Sequence, residues 1–411
     1  MDKLSKIEKQ WILYDVGNSA YVMLCTTIIP LYFKNLASAA GVSDANSTAY
    51  LSYALSISTI VVAVLGPILG TMADTRGYKK PLFTLAFGVG VLGCLGIIFP
   101  DQWLAFLIVF VIGRVGYQLS LIFYDSMLID ITSNERMDTV SSYGYAWGYI
   151  GSCIPFIASL VLILFAEPLG LTTGLATGIA FAINAVWWLL TTLPLLKNYR
   201  QIHYVEKVEH PVAESLGRIV SVLKKVGKNS HIFYFLIAFF FYIDGVYTII
   251  DLATSYGKDV GISDTSLLLA LLMTQVVAFP CSILFAKISK KFQTTKLIQI
   301  GILGYLFISL FALQLDQAWE FWFLAVCVAV FQGSIQALSR SYFARIIPKE
   351  NSSEYFGFYD IFGKGAAFIG TTLMGVSTQI FGTSKAGVGL LSVMFIIGFV
   401  LFRKAVKYET T

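Results

Sequence analysis

The chain has 411 residues, of which 57% are hydrophobic and 13% charged, with a formal net charge of +5. That balance lies far outside the range of soluble domains. Its basic residues are dispersed along the chain rather than gathered on one stretch, so the positive charge is not read as a nucleic-acid footprint.

A bilayer is crossed by about 20 helical residues, and windows of that length predict twelve apolar spans. They run roughly Trp11–Phe33, Tyr50–Met72, Leu82–Phe99, Trp103–Leu128, Tyr143–Phe165 and Thr173–Leu195, then Ile232–Thr254, Ser266–Ala286, Leu297–Leu315, Phe321–Tyr342, Phe356–Phe381 and Gly387–Leu401. Alternate connections carry 24 of the 29 Lys and Arg residues, beginning with Lys3, Lys6 and Lys9 and ending with Arg403, Lys404 and Lys407. The other set of connections holds only Lys34, Lys258 and Lys385. By the positive-inside rule the basic set, and with it both termini, is cytoplasmic. The charged stretch Met1–Gln10 lacks a small-residue cleavage site, so the first span is expected to be retained. All five cysteines (Cys25, Cys94, Cys153, Cys281, Cys327) fall within apolar spans with no C-x-x-C spacing, which fits small buried side chains better than a metal or disulfide.

The longest hydrophilic stretch divides the spans six and six. The expected organisation is a first bundle over 1–196, a linker over 197–230 and a second bundle over 231–411. The linker is either a flexible tether or carries an amphipathic helix near Ala213–Val226 lying along the membrane. The two halves echo one another. Asp125-Ser126-Met127-Leu128-Ile129-Asp130 ends the fourth span and Arg340-Ser341-Tyr342-Phe343-Ala344-Arg345 ends the tenth, with matching spacing and inverted charge. A six-plus-six repeat with a basic linker is a layout of secondary transporters working around a midplane site.

The loop after the second span reads Gly70-Thr71-Met72-Ala73-Asp74-Thr75-Arg76-Gly77-Tyr78-Lys79-Lys80. Gly70 permits close packing and Gly77 a tight turn. Asp74 can accept from a helix N-terminus or from an arginine of the other half. The stretch resembles the signature loop of the major facilitator superfamily, with Thr75 in place of the basic residue that usually follows the acid. Trp11–Ala20, Ser141–Gly151, Gln336–Ser341 and Phe356–Asp360 resemble one branch of it, the vacuolar amino-acid effluxers of autophagy and their bacterial relatives. The resemblance implies an all-α facilitator fold of twelve transmembrane helices, and export of amino-acid-like solutes. Asp130–Gly151 also resembles the helix 4–5 junction of cation symporters for glycosides. That family places acids on helix 2, and Tyr50–Met72 contains none.

A charge at membrane depth costs several kcal/mol unless paired or wet, so each is a candidate. Arg114, Gln118 and Asp125 lie along one face of the fourth span, and Asp15 and Asn18 one turn apart in the first. Asp244 is near the middle of the seventh, Gln332, Gln336 and Arg340 form a stripe in the tenth, and Asp360 and Lys364 are spaced i, i+4 in the eleventh. In the facilitator layout the first, fourth, seventh and tenth helices line a central cavity. Arg114, Gln118, Asp244, Asn18 and Gln336 are therefore the expected substrate ligands, with Arg114 for a carboxylate and Asp244 for an ammonium. Asp15, Asp125 and Asp244 are the candidates for H⁺ or Na⁺ coupling. Asp74, Arg76, Arg340, Asp360 and Lys364 are the candidates for gating, although Asp360–Lys364 reads more readily as a structural intrahelical pair; Arg340 and Asp125, near the cytoplasmic ends, are placed to pair across the two halves as a gate. His203, His210 and His231 read as interfacial.

The sequence thus predicts a multi-pass protein of the cell membrane. It is expected to work as a monomeric secondary carrier of a zwitterion, without a cofactor, its partners being a small solute and the bilayer. A cation-coupled sugar symporter and a lipid-headgroup flippase or scramblase are the alternatives. An enzyme is not expected: there is no H-E-x-x-H, and Gly357–Gly365 lacks both the spacing and the hydroxyl of a P-loop.

Overall fold

The structure, a computed structural model, describes residues 3–206, 224, 226–227, 229–259, 261–381 and 384–409. The described part is helical: α1 Lys6–Thr26, α2 Ile28–Ala39, α3 Asp44–Ala73, α4 Lys79–Gly96, α5 Trp103–Ile131, α6 Met137–Leu164 and α7 Thr173–Asn198, followed by α8 Ser230–Asp259, α9 Asp264–Ile288, α10 Thr294–Ala312, α11 Ala318–Ile346, α12 Ser352–Phe381 and α13 Ser384–Glu409. Eleven stretches, with α1 and α2 counted together as Lys6–Ala39, are long and apolar enough to cross a membrane among the described residues. The first predicted span is thus two helices meeting at Thr27. Pro30 explains the break, since it has no N–H to return to the carbonyl four residues back. The surface helix expected at Ala213–Val226 lies outside the described residues, apart from Lys224 and Val226.

Local chemistry sets the helix ends. Ser5 and Glu8 close a capping box at the start of α1, and Ser43, Thr172 and Ser263 cap α3, α7 and α9 with their hydroxyls. Outward faces are apolar, as in Leu31, Ile60, Leu85, Leu92 and Val161. Such a surface suits hydrocarbon and not water.

The chain forms two compact units. Unit 1 comprises residues 1–132, 147–211 and 350–356, and unit 2 comprises 133–146, 212–349 and 357–411. The first turn of α12 therefore belongs to unit 1, and the first turns of α6 belong to unit 2. Unit 1 packs through aromatics: Trp11 stacks on Tyr124 at 4.4 Å, and Trp188 meets Tyr21 and Phe87. Helices α4 and α5 touch backbone to backbone, and a Cβ on Gly93 would fall 2.3 Å from the Cα of Gly113. In unit 2, Phe239 stacks between Phe235 and Tyr359, and Tyr359 also faces Phe343.

Candidate functional site

Two sets of polar groups stand out, one at membrane depth and one at the basic-loop end of each unit. In unit 1 the deep set starts on α1 and α5. Asn18 donates to the Asp15 carboxylate at 3.1 Å, and both side chains are buried. Tyr14 and Ser120 share a hydrogen bond of 2.5 Å. Arg114 is half-buried, close to Cys25 and Tyr21, and its Nε has no hydrogen-bond partner among the described residues. One turn on, Gln118 is buried and its carbonyl oxygen is likewise unpartnered there. Asp125 lies on the same helix, α5.

Unit 2 has the opposite charge at depth. Asp244 on α8 is fully buried; its Oδ1 accepts from the Gly370 backbone N–H at 3.1 Å and from the Thr248 hydroxyl at 3.4 Å. Its other oxygen has no partner among the described residues. A Cβ on Gly370 would lie 2.3 Å from that carboxylate, so only glycine admits the approach. Thr248 also lines a cavity of about 110 Å³ whose other polar walls are Thr274, Gln275, Ser309 and Gln332. Gln336 turns its amide back onto the Gln332 carbonyl oxygen at 3.1 Å. Asp360 and Lys364 form the i, i+4 pair at 2.5 Å.

The second set is built on the loop 74–80. Asp74 ends α3, is fully buried, and accepts the Ser353 and Glu354 backbone N–H groups at 2.8 and 2.9 Å. Those are first-turn donors of α12, which have no intrahelical acceptor of their own. Of the two partners the sequence left open for Asp74, the structure thus has the helix N-terminus. Gly70 makes the approach possible: a Cβ there would sit 2.5 Å from the Ser353 carbonyl oxygen. Gly77 has φ +82, the left-handed turn that lets the chain double back into α4. Burial pushes the Asp74 carboxyl up to about 7, against the pull of the Lys79 ammonium and the two backbone N–H groups.

Lys79, also fully buried, reaches Ser352 Oγ at 2.9 Å and Asp130 Oδ2 at 3.4 Å. Arg76 instead points outward, pairing with exposed Glu206 at 3.6 Å and covering the Tyr204 ring. Such an exposed pair contributes little.

Unit 2 has a counterpart with the signs exchanged. Arg340 donates to Ser141 Oγ and the Ser141 carbonyl oxygen at 2.9 and 3.1 Å and lies over Tyr145. Asp138, in the first turn of α6, receives the Ser341 and Thr294 hydroxyls at 2.5 Å each and pairs with Arg345 at 2.9 Å. The loop between α9 and α10 lacks an acid, and Asp138 supplies one from α6 instead.

Sequence reasoning passed over Lys79, Asp130 and Asp138 as site residues and read His203 as interfacial. The inverted Asp130/Arg345 spacing was the available signal. His203 faces Asp130, with Nδ1 3.0 Å from Oδ1.

Comparison with known proteins agrees with this architecture. Over 97% of both chains the fold superposes on the transporter FucP in its outward conformation, with a TM-score of 0.70 at 13% identity. A bacterial homologue of the iron transporter ferroportin in its outward-facing state gives 0.69 over 98% of both chains, also at 13% identity. The fold is thus that of the major facilitator superfamily. A family described as "Vacuole effluxer Atg22 like" matches residues 5–410, and the chain belongs to it. The MFS-type transporter YxiO of Bacillus subtilis is 43% identical over 98% of this chain and 95% of its own length. Autophagy-related protein 22 of Coccidioides immitis is 22% identical over 86% of this chain and 72% of its own.

Proposed function

We propose that the protein exports a small zwitterion of the amino-acid type by alternating access, with a proton as the coupling ion. The observation carrying this reading is that each unit holds a charge at membrane depth with an open valence, the two being of opposite sign. Arg114 has an unpartnered Nε in unit 1, and Asp244 an unpartnered oxygen beside a cavity in unit 2. A zwitterion offers a carboxylate to the first and an ammonium to the second. Gln118, Asn18 and Gln336 supply neutral polar contacts. Asp15, Asp125 and Asp244 are the proton-coupling groups. The name of the Atg22 family supports efflux, and the absence of an acid between Tyr50 and Met72 weighs against glycoside symport.

Asp74 and Arg340 hold the first turns of α12 and α6, which makes them gating residues. Arg76, Asp360 and Lys364 take part through ion pairs. Release of the α12 turn from Asp74 is the event expected to accompany opening at the basic end.

The test is counterflow in proteoliposomes with radiolabelled L-alanine, L-leucine, L-lysine and L-glutamate, set against L-fucose. Saturable amino-acid counterflow should fall at least tenfold in Asp244→Asn and in Arg114→Gln. Counterflow of fucose alone, or amino-acid counterflow indifferent to both substitutions, sinks the proposal.

A further inference from the structure

The segment after α7 does not leave unit 1 as a free tether. Residues 199–206 run back across the loop 74–80 and are held at three places, one on Asp130 of α5 and two on the loop. Tyr199 donates its hydroxyl to Asp130 Oδ2 at 2.5 Å, while the backbone N–H groups of Ile202 and His203 donate to Asp130 Oδ1 at 3.2 and 2.9 Å. Gln201 accepts the Gly77 N–H at 3.0 Å and donates to the Ala73 carbonyl oxygen at 3.0 Å, bracketing the loop from both sides. Val205 pairs with Thr75 as a parallel β-bridge: Val205 N–H donates to the Asp74 carbonyl oxygen at 2.8 Å, and Arg76 N–H to the Val205 carbonyl oxygen at 3.0 Å.

Asp130 is the centre of this arrangement. Its side chain is fully buried and it has one cationic neighbour of lysine type, Lys79. A buried carboxylate needs its remaining lone pairs filled, or it stays costly. Tyr199, Ile202 and His203 fill them. The carboxylate so fixed holds the Lys79 ammonium at the distance from which it reaches Ser352, the first residue of α12. A second route runs through the backbone, since Gln201 and Val205 grip Ala73, Asp74 and Gly77 on either side of the Asp74 carboxylate.

We infer that residues 199–206 form a strap that positions Asp74 and Lys79 on the first turn of α12, with Tyr199, Gln201 and His203 as its positioning residues. The hydrogen bonds that these side chains make among the described residues go to Asp130, to the loop and its flanks, and within the segment itself; they act on α12 through Asp130 and the loop. The inference rests on the carrier reading for its purpose, but its geometry is independent of any substrate.

The experiment is hydrogen–deuterium exchange on the full-length protein in nanodiscs, with no substrate present. The Ser353 and Glu354 amides, protected by Asp74 across the bilayer end of unit 1, are the readout. Tyr199→Phe, Gln201→Ala and His203→Ala should each speed their exchange at least fivefold, while amides of α10 and α11 keep wild-type rates. His203→Gln keeps a side-chain N–H donor for Asp130 and should restore protection. Gln201→Ala, which removes only a bracket over the loop, keeps the test open where the other variants fold poorly. Unchanged exchange at Ser353 and Glu354 in all variants overturns the strap, as does acceleration spread evenly over both units. Failure of amino-acid counterflow leaves this readout untouched, so the two proposals fail separately.

Discussion

Asp74 shows how a single residue can serve two needs at once. Its position at the end of α3 leaves the carboxyl dry, while the start of α12 presents it with two N–H donors and the positive end of a helix. Drying wins, and the group is pushed up to about 7, well above the value near 3.9 of an unfolded aspartate. The sign of the consequence follows from linkage. A carboxyl whose folded pKa is raised binds more protons in the folded state, so its contribution is complete below about pH 4 and is lost as pH rises through about 7. The apparent Tm of the purified protein should therefore decline between pH 5.5 and 8. In Asp74→Asn, which cannot titrate, the decline should flatten. Thermal unfolding followed in both proteins across that range checks it, and parallel curves would show that Asp74 is not the titrating group.

At the scale of elements, the two halves use one device with opposite signs. The first turn of α12 is held by an acid at the end of α3, and the first turns of α6 carry their own acid to bases at the end of α11. Asp138 is nearly buried, with Arg345 at 2.9 Å and two hydroxyls completing its shell. Removing one partner of such a pair leaves the other charge desolvated, at a cost of about 3–5 kcal/mol. Arg345→Gln should thus lower the midpoint of thermal unfolding more than Arg76→Gln, whose pair with Glu206 is exposed. The double exchange Asp138→Arg with Arg345→Asp should recover part of the loss. Equal effects of Arg345→Gln and Arg76→Gln would show that the buried pair is not holding α6.

For the whole molecule, the charge parity of the loops predicts the orientation in the membrane. Every cysteine lies within a helix, Cys25, Cys94 and Cys153 being buried, so a cysteine-free background offers a clean topology test. A cysteine at Gly170 or Gln317 should react with a membrane-impermeant maleimide added outside intact cells. One at Asn134 or Lys407 should react only after permeabilisation. The reverse pattern would invert the protein and with it the direction assigned to export. Saturation and counterflow of amino acids are likewise properties of the whole carrier, because a channel shows neither.

What the sequence determined by itself is what rests on local, additive physics. Twelve apolar stretches follow from the need to satisfy every backbone group inside hydrocarbon, and the charge bias of the loops from the positive-inside rule. The signature loop and its glycines were legible too, because a tight turn and a close approach leave few residue types possible. Pairings between distant parts of the chain were decided only by tertiary structure. Asp130 is separated from Tyr199 by 69 residues and Asp74 from Ser353 by 279. No periodicity or spacing brings such groups together; the packing of helices does. For the same reason Arg76, prominent in the motif, lies exposed, while Lys79, three residues later, is buried against Asp130 of α5 and Ser352 of α12. A helix break at Thr27 and the strap after Asn198 escaped the sequence because hydropathy registers how apolar a stretch is, and not the direction in which the chain leaves it.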